Sequence, residues 1–273
     1  MIQTSLREKV RILGTLTFGT AFHIGSGKEG DLATDMGVIK DERGWPVLPG
    51  STLKGAFRAT SERLAHWLQL KACLMDTMLS GIHCVGDQGE FQKVNDDFRN
   101  LTSEKQKLHF LEKHTCDVCR LFGTPMHASR IFFSDGELAD WKGVYQIRDG
   151  VVIDRDSHTA RPKLKYDFEA VSKETAFHIQ IDIENPTESE LALVGAVVSE
   201  WQCGVRIGGF TSRGLGQAIL ENVQVQKVDF SNPDHLKSYL LKRQFQQDDQ
   251  LLDAALENVL VKVQSALEGG GSC

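Results

Sequence analysis

An α+β fold in the order strand, helix, strand, strand, helix, strand is what this sequence predicts, and three observations predict it. Residues 9–18 and 176–184 alternate apolar and polar side chains, the period of a half-buried strand. Two segments, from Pro49 and from Thr187, carry apolar residues at helical spacing behind cap signals. A further alternating run, 217–228, follows the second helical segment.

In the first strand Val10, Ile12, Leu16 and Phe18 share one face. Residues 19–47 are loop-like, with glycines at 19, 25, 27, 30, 37 and 44. The first helix places Leu53, Phe57, Leu64 and Leu68 on one stripe, and Ser51 or Thr52 is its expected cap. Residues 71–127 look irregular and hold most of the cysteine and histidine, and 129–134 form a short strand. An extended polar excursion over 142–170 has the character of a hairpin arm. In 176–184, Phe177, Ile179, Ile181 and Ile183 alternate with His178, Gln180 and Asp182 until Asn185-Pro186 ends the strand. Thr187 and Glu190 have capping-box spacing before a helix with Leu191, Val194, Val198 and Trp201 inward. A C-terminal helix from about Asp248 aligns Leu252, Leu256, Val259, Val263 and Leu267, and the ending Gly-Gly-Gly-Ser-Cys has no packing signal. The order matches the ferredoxin-like βαββαβ plan shared by RNA-recognition folds, with two large insertions.

Composition narrows the function. No run reaches the ~18 continuous apolar residues of a membrane span, and the N-terminus lacks the apolar core of a signal peptide, so a cytoplasmic protein with no membrane partner is expected. The six cysteines then point to metal rather than disulfides. The formal net charge of -6 argues against nucleic acid on average, yet positive charge is local. Arg206 and Arg213 are the only charges between 204 and 216, and Arg161, Lys163 and Lys165 the only ones between 157 and 165.

Four stretches carry chemistry. Lys54 and Arg58 lie four apart near a helix N-terminus, where free N–H groups and the dipole favour anions such as phosphate; two solvated cations on a surface helix are the plainer alternative. The loop Gly208-Gly-Phe-Thr-Ser-Arg-Gly-Leu-Gly216 follows a helix and precedes a strand, the reverse of a dinucleotide-binding loop. Its amides and Arg213 suit a sugar-phosphate backbone, and its glycines equally suit a structural turn. Cys116 and Cys119 form a C-x-x-C half of a structural zinc site. Cys84 and His114 are the expected other half, with His83 competing; redox thiols or buried free cysteines are the alternatives. Asp31, Asp35 and Asp41 sit in or beside a glycine-rich loop, as turn caps or as ligands for a metal near an RNA 2′-hydroxyl.

In this order the motifs resemble the RAMP superfamily of CRISPR proteins, and more narrowly the guide-RNA-coating backbone subunit of type III (Csm/Cmr-like) effectors. The resemblance rests on HIGSG at 23–27, DMGVIKD at 35–41, WPVLPGSTLKGAFR at 45–58, CDVCRLFG at 116–123, VIDRDSHTA at 152–160, YDFEAV at 166–171 and GFTSRGLG at 209–216. It implies an RRM-like palm over 1–230, a zinc-binding insertion at about 71–127 and a thumb hairpin at about 142–170, with 231–273 a C-terminal helical segment and flexible tail. It implies crRNA contacts by His23, Ser51, Lys54, Arg58, Arg161, Gly209, Ser212, Arg213 and Gly214. It further implies cleavage of complementary target RNA at Asp35 with Mg2+ or Mn2+, beside a structural Zn2+. Other backbone subunits and the large subunit of the complex are the implied partners. Met36-Gly37 stands where the family has a small or polar residue followed by proline. The rivals are a non-catalytic crRNA scaffold with Asp35 as a turn cap, and a zinc metalloenzyme acting on a small molecule.

Overall fold

The computed structural model describes residues 5–25, 35–73, 84, 88–124, 126–156 and 158–269. Asp31, His83 and the tail 270–273 lie outside the described residues, as does the side chain of Arg161. The fold is mixed α+β, with an antiparallel main sheet. Its strands are β1 (Glu8–Phe18), β2 (Ile131–Phe133), β3 (Glu137–Asp140), β6 (Thr175–Glu184), β7 (Val205–Arg206), β8 (Gln217–Asp229) and β9 (Gln246–Gln247). The order across it is β2-β6-β1-β8-β7, with β3 also on β6 and β9 on β8. Helix α1 (Gly50–Leu64) connects β1 to the β2 edge, and α5 (Glu188–Cys203) returns the chain from β6 to the β8 side.

The alternation of the strands sets this sheet's register. Ile12 lies opposite Ile181 on one side and Val225 on the other, so all three inward faces coincide. Val10, Leu16, Phe18, Phe177, Ile183 and Leu220 complete that buried face. Against it pack Leu53 and Phe57 of α1 and Leu191, Val194 and Trp201 of α5. The fully buried Trp201 donates its indole N–H to Thr60 Oγ1 at 3.3 Å, tying the two helices together. Helix α7 (Leu251–Gly269) joins the same core through Leu252, Ala255 and Val259. A Cβ on Gly195 would lie 2.9 Å from the Leu252 carbonyl oxygen, so the α5–α7 crossing depends on a residue without one.

The capping box is present as the spacing predicts: Glu190 N–H donates to Thr187 Oγ1 at 3.3 Å, and Thr187 N–H to Glu190 Oε2 at 2.9 Å. Helix α1 departs from expectation. Its cap residue is Pro49, with no side-chain cap of its own, and Gly50 N–H donates instead to Asp135 Oδ1 at 2.7 Å. A carboxylate 85 positions downstream therefore takes the role expected of Ser51 or Thr52. Residues 71–127 are not irregular. They include α2 (Gln88–Asn100), α3 (Glu104–His114) and α4 (Asp117–Phe122), and Phe98 of α2 meets Phe110 of α3 at 5.9 Å between ring centroids. α2 and α3 are highly polar, and so few apolar positions left their period obscure, while α4 is only six residues long. A further helix, α6 (Pro233–Lys242), is capped by Asn232.

Strands β4 (Tyr145–Ile153) and β5 (Ala160–Val171) form a separate two-stranded antiparallel sheet. Two strands alone are marginal. Here a second apolar cluster anchors the base, with Phe168 and Ala170 of the hairpin against Ala21, Met36, Phe210 and Leu215.

Candidate functional site

That second cluster brings together segments far apart in the chain. His23 forms an isolated bridge with Gly209, Met36 with Phe168, and Phe22 with Val171. The glycine loop, the segment around Asp35 and the base of the β4–β5 hairpin thus meet at one place, with His23 beneath them.

His23 is buried, and its Nδ1 donates to the Glu169 carbonyl oxygen at 2.7 Å. Phe210 approaches its ring edge-on at 5.3 Å. The loop is built around it: Gly209 N–H donates to the His23 carbonyl oxygen at 2.7 Å. Gly208, at φ +97°, has room only for hydrogen, because a Cβ would fall 2.4 Å from that same oxygen. His23 therefore shapes the loop from below. Gly214, at φ +87°, has nothing within 4 Å of where its Cβ would be, and the neighbouring Ser212 and Arg213 are exposed. Arg213 Nη1 donates to the Tyr166 hydroxyl on the hairpin, and its guanidinium lies 5.6 Å from the Phe210 ring centroid. The loop is at once a structural turn inside and an open, cationic surface outside.

Asp35 is exposed and paired reciprocally with Asp167. Its N–H donates to Asp167 Oδ1 at 2.8 Å, and its Oδ2 accepts from Asp167 N–H at 3.0 Å. Two residues on, Glu169 Oε2 accepts from Val38 N–H at 3.2 Å and Oε1 from Lys40 Nζ at 2.6 Å. The alternate residues Asp167 and Glu169 on β5 thus hold both ends of the 35–40 segment. Neither was singled out from the sequence, although both stand in the YDFEAV stretch; the signal was their period-2 spacing in a strand.

Ser51 is exposed at the start of α1. Lys54 and Arg58 share a face, as the spacing predicts, but the face is half-buried and already engaged with the protein. Lys54 Nζ donates to Ser129 Oγ at 3.0 Å, and burial followed by the charge of Arg58 pulls its ammonium pKa down. Arg58 is committed elsewhere: Nε donates to Glu62 Oε1 at 2.8 Å and Nη2 to Cys119 Sγ at 3.2 Å.

Cys119 belongs to a group of four buried cysteines, Cys73, Cys84, Cys116 and Cys119, whose sulfurs all lie within 4.8 Å of one another. The C-x-x-C expectation is matched by Cys116 capping α4, where its sulfur accepts from Cys119 N–H at 3.3 Å. The expected fourth ligand is corrected. His114 stacks on Phe110 at 4.2 Å and is not in the group, and Cys73 takes its place, with Sγ 3.5 Å from that of Cys119. Cys73 was missed because it stands far from the C-x-x-C pair in the chain, although the cysteine count was a signal for it. Tetrahedral zinc–thiolate bonds of about 2.3 Å imply sulfur–sulfur separations of about 3.8 Å, and the cluster is of that size. Hydrogen bonds with Cys116 push the Cys84 and Cys119 thiols well above their ordinary range, whereas Cys116 is drawn down by its bond with Cys119. Left to themselves Cys84 and Cys119 keep protons that a cation would displace. The four can hold a metal such as zinc.

Among the described residues no helix is long and apolar enough to cross a membrane. No curated protein matches the sequence. The family model of the RAMP superfamily, whose members work with RNA and other subunits in CRISPR complexes, matches residues 15–219. That span runs from within β1 to the start of β8 and includes the glycine loop, Asp35, the hairpin and all four clustered cysteines. On that match the chain belongs to the RAMP superfamily.

Proposed function

We propose that the chain is a crRNA-binding backbone subunit of a type III (Csm/Cmr-like) CRISPR effector, and that it cleaves the complementary target RNA at Asp35. The main sheet with α1 and α5 serves as the ferredoxin-like, RRM-type palm, which the order β2-β6-β1-β8 supports. The β4–β5 hairpin serves as the thumb, and the cysteine lobe is closed around structural zinc. Four sulfurs fill a tetrahedral shell and leave no place for water or substrate, which disfavours a small-molecule metalloenzyme. The guide passes over the open side of the glycine loop, contacted by Ser212, Arg213 and the Gly214 backbone, with Ser51 and Lys54 at the start of α1.

One observation carries the cleavage reading. The exposed Asp35 carboxylate is fixed at the hairpin base, where a nucleotide lifted from the duplex would present its 2′-hydroxyl. That hydroxyl attacks the adjacent phosphorus and the P–O5′ bond breaks, leaving a 2′,3′-cyclic phosphate and a 5′-hydroxyl. Asp35 orients the hydroxyl and takes its proton, and solvent water protonates the departing 5′-oxygen. The Asp35 carboxylate would hold Mg2+ or Mn2+, which would supply charge stabilisation at the phosphate. The same pair with Asp167 favours a second reading, a non-catalytic scaffold in which Asp35 only secures the loop.

The test is cleavage mapping in the assembled complex. Asp35→Ala should abolish the cut served by this subunit while guide binding is retained. Persistence of that cut would leave the scaffold reading.

A further inference from the structure

From the outer side of the glycine loop, two adjoining clefts lead across the end of the sheet to α1. The first, of about 540 Å3, is lined by Ser212 and Gly214 of the loop together with Arg206 and Gln217. The second, of about 570 Å3, shares Arg206 and Gln217 and runs on to Thr60 and Arg63 of α1 and to Cys203 at the end of α5. The two clefts adjoin at Arg206 and Gln217 and together make a groove.

Of its charged lining residues, Arg63 and Arg206 are cationic and Glu200 is acidic. Among the described residues Arg63 makes a single hydrogen bond, Nη2 to Thr60 Oγ1 at 3.4 Å, and that hydroxyl also donates to the Ala56 carbonyl oxygen and accepts from the Trp201 indole. The exposed Arg206 is held at the sheet edge by the pairing of β7 with β8. Among the described residues neither arginine forms a salt bridge, although Glu200 also lines the groove. In a chain of net charge -6, two guanidinium groups without carboxylate partners, on the wall of a groove that begins at the Arg213 loop, select an anionic chain over a neutral or cationic ligand.

We infer that this groove is a second stretch of RNA-binding surface, in which Arg63 and Arg206 each take a phosphate of a single strand continuing from the glycine loop. The inference rests on the RNA-binding reading and extends it by two residues that the motifs do not contain. The contacts are to the backbone, so they carry affinity without base preference. Cys203 is exposed and lines the groove, so a strand lying there covers its thiol.

The test uses the full chain with an unstructured, fluorescently labelled single-stranded RNA. The affinity of the wild type, of Arg63→Gln/Arg206→Gln and of Arg213→Gln is measured over a salt series. Alkylation of Cys203 by N-ethylmaleimide is followed with and without RNA by peptide mass spectrometry. At about 0.7 per phosphate contact on single strands, the double variant should lower the salt slope by about 1.4, and RNA should slow alkylation of Cys203 several-fold in the wild type. The footprint needs no substitution, so it stands even where the double variant is unstable. An unchanged slope in a folded double variant, or alkylation indifferent to RNA, overturns the inference. If Arg213→Gln weakens binding while the groove tests fail, the RNA-binding reading survives without this path. If the wild type binds no RNA, both fall.

Discussion

Replacing Cys73 by serine removes one of four sulfurs from a site that is closed to solvent. Cys73 is 2% exposed, and Cys84, Cys116 and Cys119 are fully buried. Structural zinc in small domains is worth about 10–16 kcal/mol in apparent binding, while a whole domain is stable by only about 5–15 kcal/mol. Loss of the metal therefore removes as much free energy as holds a domain folded. The α4 lobe cannot keep its packing on α1, where Phe122 meets Phe57 at 6.4 Å between ring centroids. The assay is metal per chain by plasma mass spectrometry, with thermal unfolding and limited proteolysis alongside. Wild type should carry about one zinc per chain; Cys73→Ser should fall well below that and be cut within the lobe. His114→Ala is the paired control. It loses only a ring contact with Phe110, worth about 0.5–1.5 kcal/mol, and should keep its zinc. Zinc lost in His114→Ala but kept in Cys73→Ser would refute the tetrathiolate site.

Phe57, fully buried between Trp201, Phe122 and Phe133, should cost about 3–5 kcal/mol on truncation to alanine, read from urea unfolding; a loss below about 1 kcal/mol would contradict the packing described. Lys54→Ala should lower the salt slope of RNA binding by about 0.7 without changing base preference, and an unchanged slope would return Lys54 to a purely structural role with Ser129. Among the described residues the buried Nε2 of His127 has no partner, and burial depresses its pKa below the ordinary histidine value. The folded state then binds fewer protons than the unfolded chain, so stability is lost as pH falls below about 6.5. His127→Gln should flatten that part of the melting temperature profile, and a profile equally steep in the variant would remove His127 as the cause.

The pattern of β1, β6 and β8, the capping box at Thr187 and the C-x-x-C at Cys116 was legible because each depends on residues within a few positions of one another. Period 2, period 3.6 and a two-residue spacer are properties of the local chain. The glycine loop and Asp35 stand in recognisable stretches, and the structure brings both to the hairpin base. What each side chain does there was not legible.

The sequence by itself determined β1, β2, β6 and β8, the helices α1, α5 and α7, their order, the family resemblance and the C-x-x-C pair. Tertiary structure alone decided that Asp135 caps α1, that Cys73 rather than His114 completes the sulfur cluster, and that Arg58 points into it. It also decided that Asp167 fixes Asp35 and that Arg63 and Arg206 share a groove. Asp135 and Gly50 are 85 positions apart, and Asp35 and Asp167 are 132 apart. No local period reaches across such separations. Partners that distant are chosen by the sheet register and by how the hairpin and the cysteine cluster pack against the main sheet and its helices, which only the folded chain defines.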